Sequence, residues 1–219
     1  MTDNCIKDFP YLTYKGFTTC VDAFEQQFSH AISADGSKSL RIVGRGGRSQ
    51  YIQITAVLYK HKGAIDASEP PEDLEDIDPA FEAHNQLPLQ EDGRIDYHIV
   101  YSQGWRVPVL YMRAYASSSQ SKSKVILDIG RIYSMVQDTE LRGALEAVEF
   151  GGALGVQDHP VLGEPYIYLH PCHTATMLRA VGGAGGIGCR EYLAAWLSLV
   201  GPAVGLTLPS VPLERQIQK

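Results

Sequence analysis

The 219-residue chain contains no Cys-x-x-Cys pair, although it carries four cysteines at 5, 20, 172 and 189. That lack argues against a paired zinc ribbon or a thioredoxin-like redox motif. No uninterrupted apolar run approaches the roughly 18–20 residues that cross a bilayer. No segment with secretory-signal character precedes the first cysteine, so a reducing, cytoplasmic setting with free thiols is the expectation. Lys and Arg form no clustered stripe, which excludes the electrostatic footprint of a nucleic-acid binder. From Gly63 to Gly93 the chain has ten acids and neither Lys nor Arg. The whole chain carries −6; without those ten acids the remainder stands at +4.

What is present suits one folded domain: the chain is 44% hydrophobic and 20% charged, enough apolar content for a core. Prolines 70, 71 and 79 and unbroken like charge make about 63–93 a mobile acidic insertion within a single domain spanning 1–219. In "FTTCVDAFEQQFSHAI" (17–32), Phe17, Val21, Phe24, Phe28 and Ile32 recur at spacings of three and four, an amphipathic helix. Its polar face has no Lys or Arg, which disfavours docking on anionic membranes. "SLRIVG" and "QYIQITAVLY" flank a glycine-rich turn and read as a hairpin. In "RIDYHIVYSQGWRVPVLYMRAY" (94–115), alternation around Ser-Gln-Gly gives a second pair of antiparallel strands, with Pro108 at a strand start or an edge. Tyr97, Tyr101 and Tyr111 are expected to pack on this sheet with hydroxyls reaching solvent. "VILDIGRIYSMV" (125–136), "TELRGALEAVEF" (139–150), "TATMLRAV" and "REYLAAWLSLVG" read as helices, and "DHPVLGEPYIYLHPC" as extended chain. One helix, four strands and then helices make an α+β fold: an antiparallel four-stranded sheet with helices packed on it.

Chemistry concentrates at "YLHPCHTATM" (168–177). Cys172 follows a proline between two histidines, and residue types alone leave several readings open. It could be a nucleophile, part of a zinc site with His170, His173 and Cys189, or a buried small hydrophobe. The zinc reading is weak because only one close-spaced cluster exists, and no thiol-protease signature surrounds the cysteine. Gly183-x-Gly185-x-x-Gly188 has dinucleotide-fingerprint spacing but lacks the preceding strand and βαβ context, so it reads as a linker.

"DYHIVYSQGWRVPVLYMRA", "HPVLGEPYIYLHPC" and "YLAAWLSLVGPAVGL", three blocks in order between about 95 and 208, together resemble the autophagy-related protein 10 family. "VPVLYMRA" and "SLVGPAVGL" favour it over the sister protein 3 family, which also carries His-Pro-Cys. The resemblance implies a reduced ubiquitin-conjugating (E2-like) fold with Cys172 as nucleophile. Cys172 would accept the C-terminal glycine of the ubiquitin-like autophagy-related protein 12 from the E1-like autophagy-related protein 7. It would then pass it to a lysine of autophagy-related protein 5, in the cytoplasm or at sites of autophagosome formation. The alternatives are a protein 3-like lipidating enzyme and a silent binding module. No metal, cofactor, nucleic acid or stable membrane insertion is implied.

The His-Pro-Asn motif of ubiquitin-type conjugating enzymes is absent. His170, two residues before the nucleophile on one face of an extended strand, is the candidate for oxyanion or orientation support. Trp105 stands where the family often has tyrosine, and Trp offers only an indole N–H donor. Tyr101 is the candidate to supply a hydroxyl in its place.

Overall fold

The computed structural model describes residues 6–34, 36–47, 49–61, 89–116, 124–127 and 154–209. Helix α1, Tyr14–Ser33, starts where the Thr13 side chain accepts the Gly16 amide at 3.0 Å, relieving an otherwise unpaired N-terminal donor. Its stripe is the expected one, with Phe17, Val21, Phe24, Phe28 and Ile32 buried, joined by Cys20.

The sheet is antiparallel throughout, as alternation in the hairpins requires, but has seven strands among the described residues where four were expected. They are β1 (Lys38–Val43), β2 (Tyr51–His61), β3 (Leu89–Ser102), β4 (Val107–Ala116), β5 (Lys124–Ile126), β6 (Leu154–Asp158) and β7 (Pro165–Leu169). The order is β1-β2-β3-β4-β7-β6, with β5 pairing the far end of β4 beyond β7. The start of "VILDIG" is thus strand, as its β-branched residues favour. The rest of the two helices expected over 125–150 lies outside the described residues. So does most of the acidic insertion, but its last five residues, 89–93, are the start of β3 and pair with β2. Helices α2 (Thr174–Gly182) and α3 (Cys189–Val200) follow β7, and α1 packs against α3 and β1.

Strand alternation sends residues to two different layers. The inner face (Ile52, Ile54, Tyr97, Ile99, Leu110, Met112, Ile167, Leu169) joins the helices in the main core. Tyr97 is fully enclosed there, and its hydroxyl donates to Val204 O at 2.8 Å instead of reaching solvent. The outer face holds a second cluster of Tyr51, Val100, Val109, Tyr111 and Tyr166. It is covered by the β6–β7 connection, which folds over the strands and inserts His159 among these rings.

The glycine-rich stretch after α2 has a packing reason. A Cβ on Gly182, the last residue of α2, would stand 2.7 Å from the Phe9 ring and one on Gly186 3.3 Å from it, whereas Gly183 and Gly185 have nothing within 4 Å. Gly201 is tighter still: a Cβ would meet Leu206 O at 2.1 Å and Leu197 O at 2.6 Å. Both obstacles are backbone, so relief requires the chain after α3 to move. Gly201→Ala should destabilise the fold at the upper end of overpacking, about 3 kcal/mol, read as a fall in the urea midpoint; a midpoint unchanged from wild type would contradict this packing.

Candidate active site

β7 ends at Leu169, and Pro171 begins a single 3-10 turn, Pro171–His173, that runs straight into α2. Proline suits this first helical position because its φ is preset and the missing N–H would be unpaired there anyway. His170 is the cap: its Nδ1 accepts the Cys172 backbone N–H at 3.3 Å. The His170–Cys172 relation is therefore that of a capped turn, which replaces the expected pair on one face of a strand. His173 begins α2 without a side-chain cap bond. Cys172 is exposed, so its thiol can meet a macromolecular acyl donor without the fold opening.

With Nδ1 accepting, the neutral His170 ring carries its proton on Nε2 and retains one donor. The ring is held edge-on to Trp105 at 5.2 Å and lies 6.1 Å from Tyr168. Trp105, 48% exposed, sits in the β3–β4 turn. That turn is held by Arg106 in the left-handed region (φ 58°), with Arg106 N–H donating to Ser102 O and Arg106 O accepting from Leu12 N. A non-glycine residue there is unusual, and no sequence signal beyond the preceding Gly-Trp marked it.

The structure brings Trp105 and His170 together beside Cys172. Tyr101 lies elsewhere: it shares the inward phase of Tyr97 and Ile99, packs against Tyr14 and Phe17, and donates its hydroxyl to Leu12 O at 2.8 Å. The other cysteines are chemically distinct. Cys20 is fully buried and burial pushes its thiol up to about 12. Cys189, expected to be free, is disulfide-bonded; Cys5 lies outside the described residues. Among the described residues no group of three or more His, Cys, Asp or Glu is arranged to hold a metal ion. None of the described helices is long and apolar enough to cross a membrane.

A buried histidine pair on the outer face escaped sequence reasoning. His159 Nδ1 accepts the Val161 and Leu162 amides, both at 3.2 Å, and its Nε2 lies 3.1 Å from His98 Nδ1. An Nδ1 that takes two N–H groups cannot carry a proton, so Nε2–H of His159 donates to His98. Burial holds both rings far below the ordinary histidine range, His98 at about 3 and His159 at about 4, with the other histidine, Arg41 and Arg113 adding to the effect on His98. Beyond this pair, Arg113 ties the same connection down through an ion pair with Glu164.

A family profile described as "Autophagocytosis associated protein, active-site domain" matches residues 16–211. The chain belongs to this family. Within it, the chain is 34% identical over 119 residues to the human ubiquitin-like-conjugating enzyme ATG10, covering 53% of this chain and 50% of that protein. It is likewise 34% identical over 119 residues to the Arabidopsis thaliana ubiquitin-like-conjugating enzyme ATG10, covering 52% and 50%. The matched stretch thus spans about half the length of these curated relatives. Among solved structures, the crystal structure of the autophagic E2 Atg10 superposes with a TM-score of 0.51 over 88% of this chain and 97% of that one, at 14% identity. That likeness is one of fold, and it accords with the α+β, E2-like architecture of an antiparallel sheet with helices packed on it.

Proposed function

We propose that this member of the family is an E2-like conjugating enzyme of autophagy with Cys172 as its acyl carrier. Cys172 takes the C-terminal glycine of the ubiquitin-like autophagy-related protein 12 as a thioester from the E1-like autophagy-related protein 7. A lysine of autophagy-related protein 5 then receives it. The observation that carries this reading is an exposed free cysteine on a histidine-capped turn at the head of a helix, inside the family's active-site domain.

The chemistry follows from atoms at the turn. In charging, the Cys172 sulfur attacks the E1-bound thioester carbonyl, a new C–S bond forms, and the E1 cysteine leaves as thiolate. Bond energies nearly cancel, and the partner enzyme supplies orientation. In transfer, the lysine amine attacks, loses its proton to solvent, and expels the Cys172 thiolate as the amide forms. The second step develops a tetrahedral oxyanion that needs a donor. His170 Nε2–H is the side-chain donor beside the turn, and Trp105 and Tyr168 orient its ring.

Incubating the protein with the E1-like enzyme, ATP and protein 12 should give a thiol-labile adduct on a non-reducing gel, and no adduct would refute the assignment. His170→Ala should keep charging within about tenfold of wild type yet slow discharge onto protein 5 by at least about tenfold, scaled from the 10²–10³ loss for an oxyanion donor. His170→Asp separates two roles, since its carboxylate can still take the Cys172 amide but carries no N–H donor. Single-turnover discharge should remain slow in this variant. Recovery to the wild-type rate would leave His170 as a cap alone.

A further inference from the structure

The outer face carries a cleft of about 990 Å³ that the chemistry at Cys172 does not itself use. Its floor is Val100 and Val109; the β6–β7 connection forms one wall through Pro160 and Val161, and Gln50 and Arg106 border it elsewhere. The strand register places these residues in a line. Val109 pairs with Val100, and Val100 with Tyr51, the neighbour of Gln50. On the other side, β4 and β7 pair Tyr111 with Tyr168, and continuing that register sets Val109 opposite His170. One row across β7, β4, β3 and β2 therefore leads from the cap of the Cys172 turn to Gln50. At about 4.8 Å per strand spacing it is about 15 Å long, the reach of four to five extended residues.

Two features select what fits. Gln50 is 4% exposed, its side-chain oxygen takes the Gly46 amide at 3.3 Å, and its Nε2 has no partner among the described residues. A buried amide donor without an acceptor is unfavourable, and a peptide carbonyl lying in the cleft supplies one. The charged side chain on the described lining is Arg106, already engaged by Asp8 at 2.9 Å, and no carboxylate is among the described lining residues. A lysine would find no counter-charge there, so the acceptor's amine is a poor occupant. An uncharged extended segment with small apolar side chains meets both conditions.

We propose that this cleft holds the extended C-terminal segment of the ubiquitin-like protein, laid across the strands so that its last residue reaches Cys172. The assignment rests on the reaction proposed above and specifies where its donor lies. The segment crosses Val109 and Val100 under the Val161 wall and ends against Gln50, leaving the opposite side of the Cys172 turn open for the incoming lysine.

Nuclear magnetic resonance of the full chain tests this in two arms. In the oxyester conjugate of Cys172→Ser, the Gln50 side-chain amide signals and the Val161 and Leu162 backbone amides should shift relative to the free chain. A formed conjugate with those signals unmoved overturns the proposal. In the second arm, a peptide of the last ten residues of protein 12 is titrated into uncharged wild-type chain to millimolar concentration. Shifts at the same positions, weakened at least tenfold by Val161→Glu, support the cleft, and none at those positions overturns it. Because this arm needs no E1-like enzyme, failure to charge refutes the conjugating reading separately from the cleft.

Discussion

Cys172→Ser is expected to convert the thiol-labile adduct into one that survives reducing agent, and Cys172→Ala to abolish the adduct altogether. A serine hydroxyl attacks an activated acyl group slowly but does attack, and the alkoxide it would have to release is a far poorer leaving group than a thiolate. The acyl group is then trapped and transfer to lysine stops. No described cysteine can stand in. Cys20 lies fully inside the core with its thiol pushed up to about 12, so neither access nor ionisation is available. Cys189 is disulfide-bonded. Cys20→Ala and Cys189→Ala should accordingly still form the thioester, as should Cys5→Ser. Intact-mass analysis after charging reads the outcome directly: thiol-labile adduct in the Cys172→Ala protein would remove Cys172 from the reaction.

The second large effect is loss of stability in mild acid. His98 and His159 stay neutral in the fold down to about pH 3 and 4, whereas in the unfolded chain both protonate near 6.5. Between about pH 6 and pH 4 the unfolded state therefore binds more protons than the native state. The linkage slope is positive, so stability rises with pH and falls on acidification. Each ring contributes about 1.4 kcal/mol per pH unit, roughly 3 kcal/mol for the pair, against a total stability of about 5–15 kcal/mol for a typical domain. Burial is what makes protonation unfavourable for both rings, and for His98 the neighbouring His159, with Arg41 on β1 and Arg113 on β4, adds to it. Urea midpoints measured from pH 7.5 to 4.5 should drop steeply below about pH 6. His159→Asn, whose side-chain oxygen can replace Nδ1 toward the Val161 and Leu162 amides, should start lower but fall less steeply. Parallel acid profiles for wild type and this variant would show that the pair is not the titrating element.

Local pattern carried much of this fold because each periodic segment has one apolar face to bury. Phe17 to Ile32 in α1 and the alternation of Tyr97, Ile99, Leu110 and Met112 were legible for that reason. The outer phase was not, since what covers His98, Tyr51 and Tyr111 is a connection whose His159 lies 61, 108 and 48 positions further along the chain. A histidine followed by proline at 159 gives no local sign that it will enter an aromatic layer. At the site, His-Pro-Cys pointed to Cys172, but an extended reading of its surroundings missed that Pro171 opens a helical turn. Tyr101 is different, because its place was readable. It shares the parity of Tyr97 and Ile99, which puts its ring on the α1 face, away from that of His170. The short β5 was masked by the helical look of the residues after Ile126, although Val125 and Ile126 are β-formers.

The segment before α1 ties distant parts of the chain together. Tyr192 donates to Pro10 O, Tyr101 to Leu12 O, and Phe9 lies against Gly182. The partners are separated by 182, 89 and 173 positions. Such contacts raise contact order, and chains dominated by long-range closure fold slowly. On the ribosome, where synthesis runs from the N-terminus, the hairpins can assemble while residues 9–12 still wait for α3. The residues that brace the Trp105 turn are thus among the first made and the last to find their place.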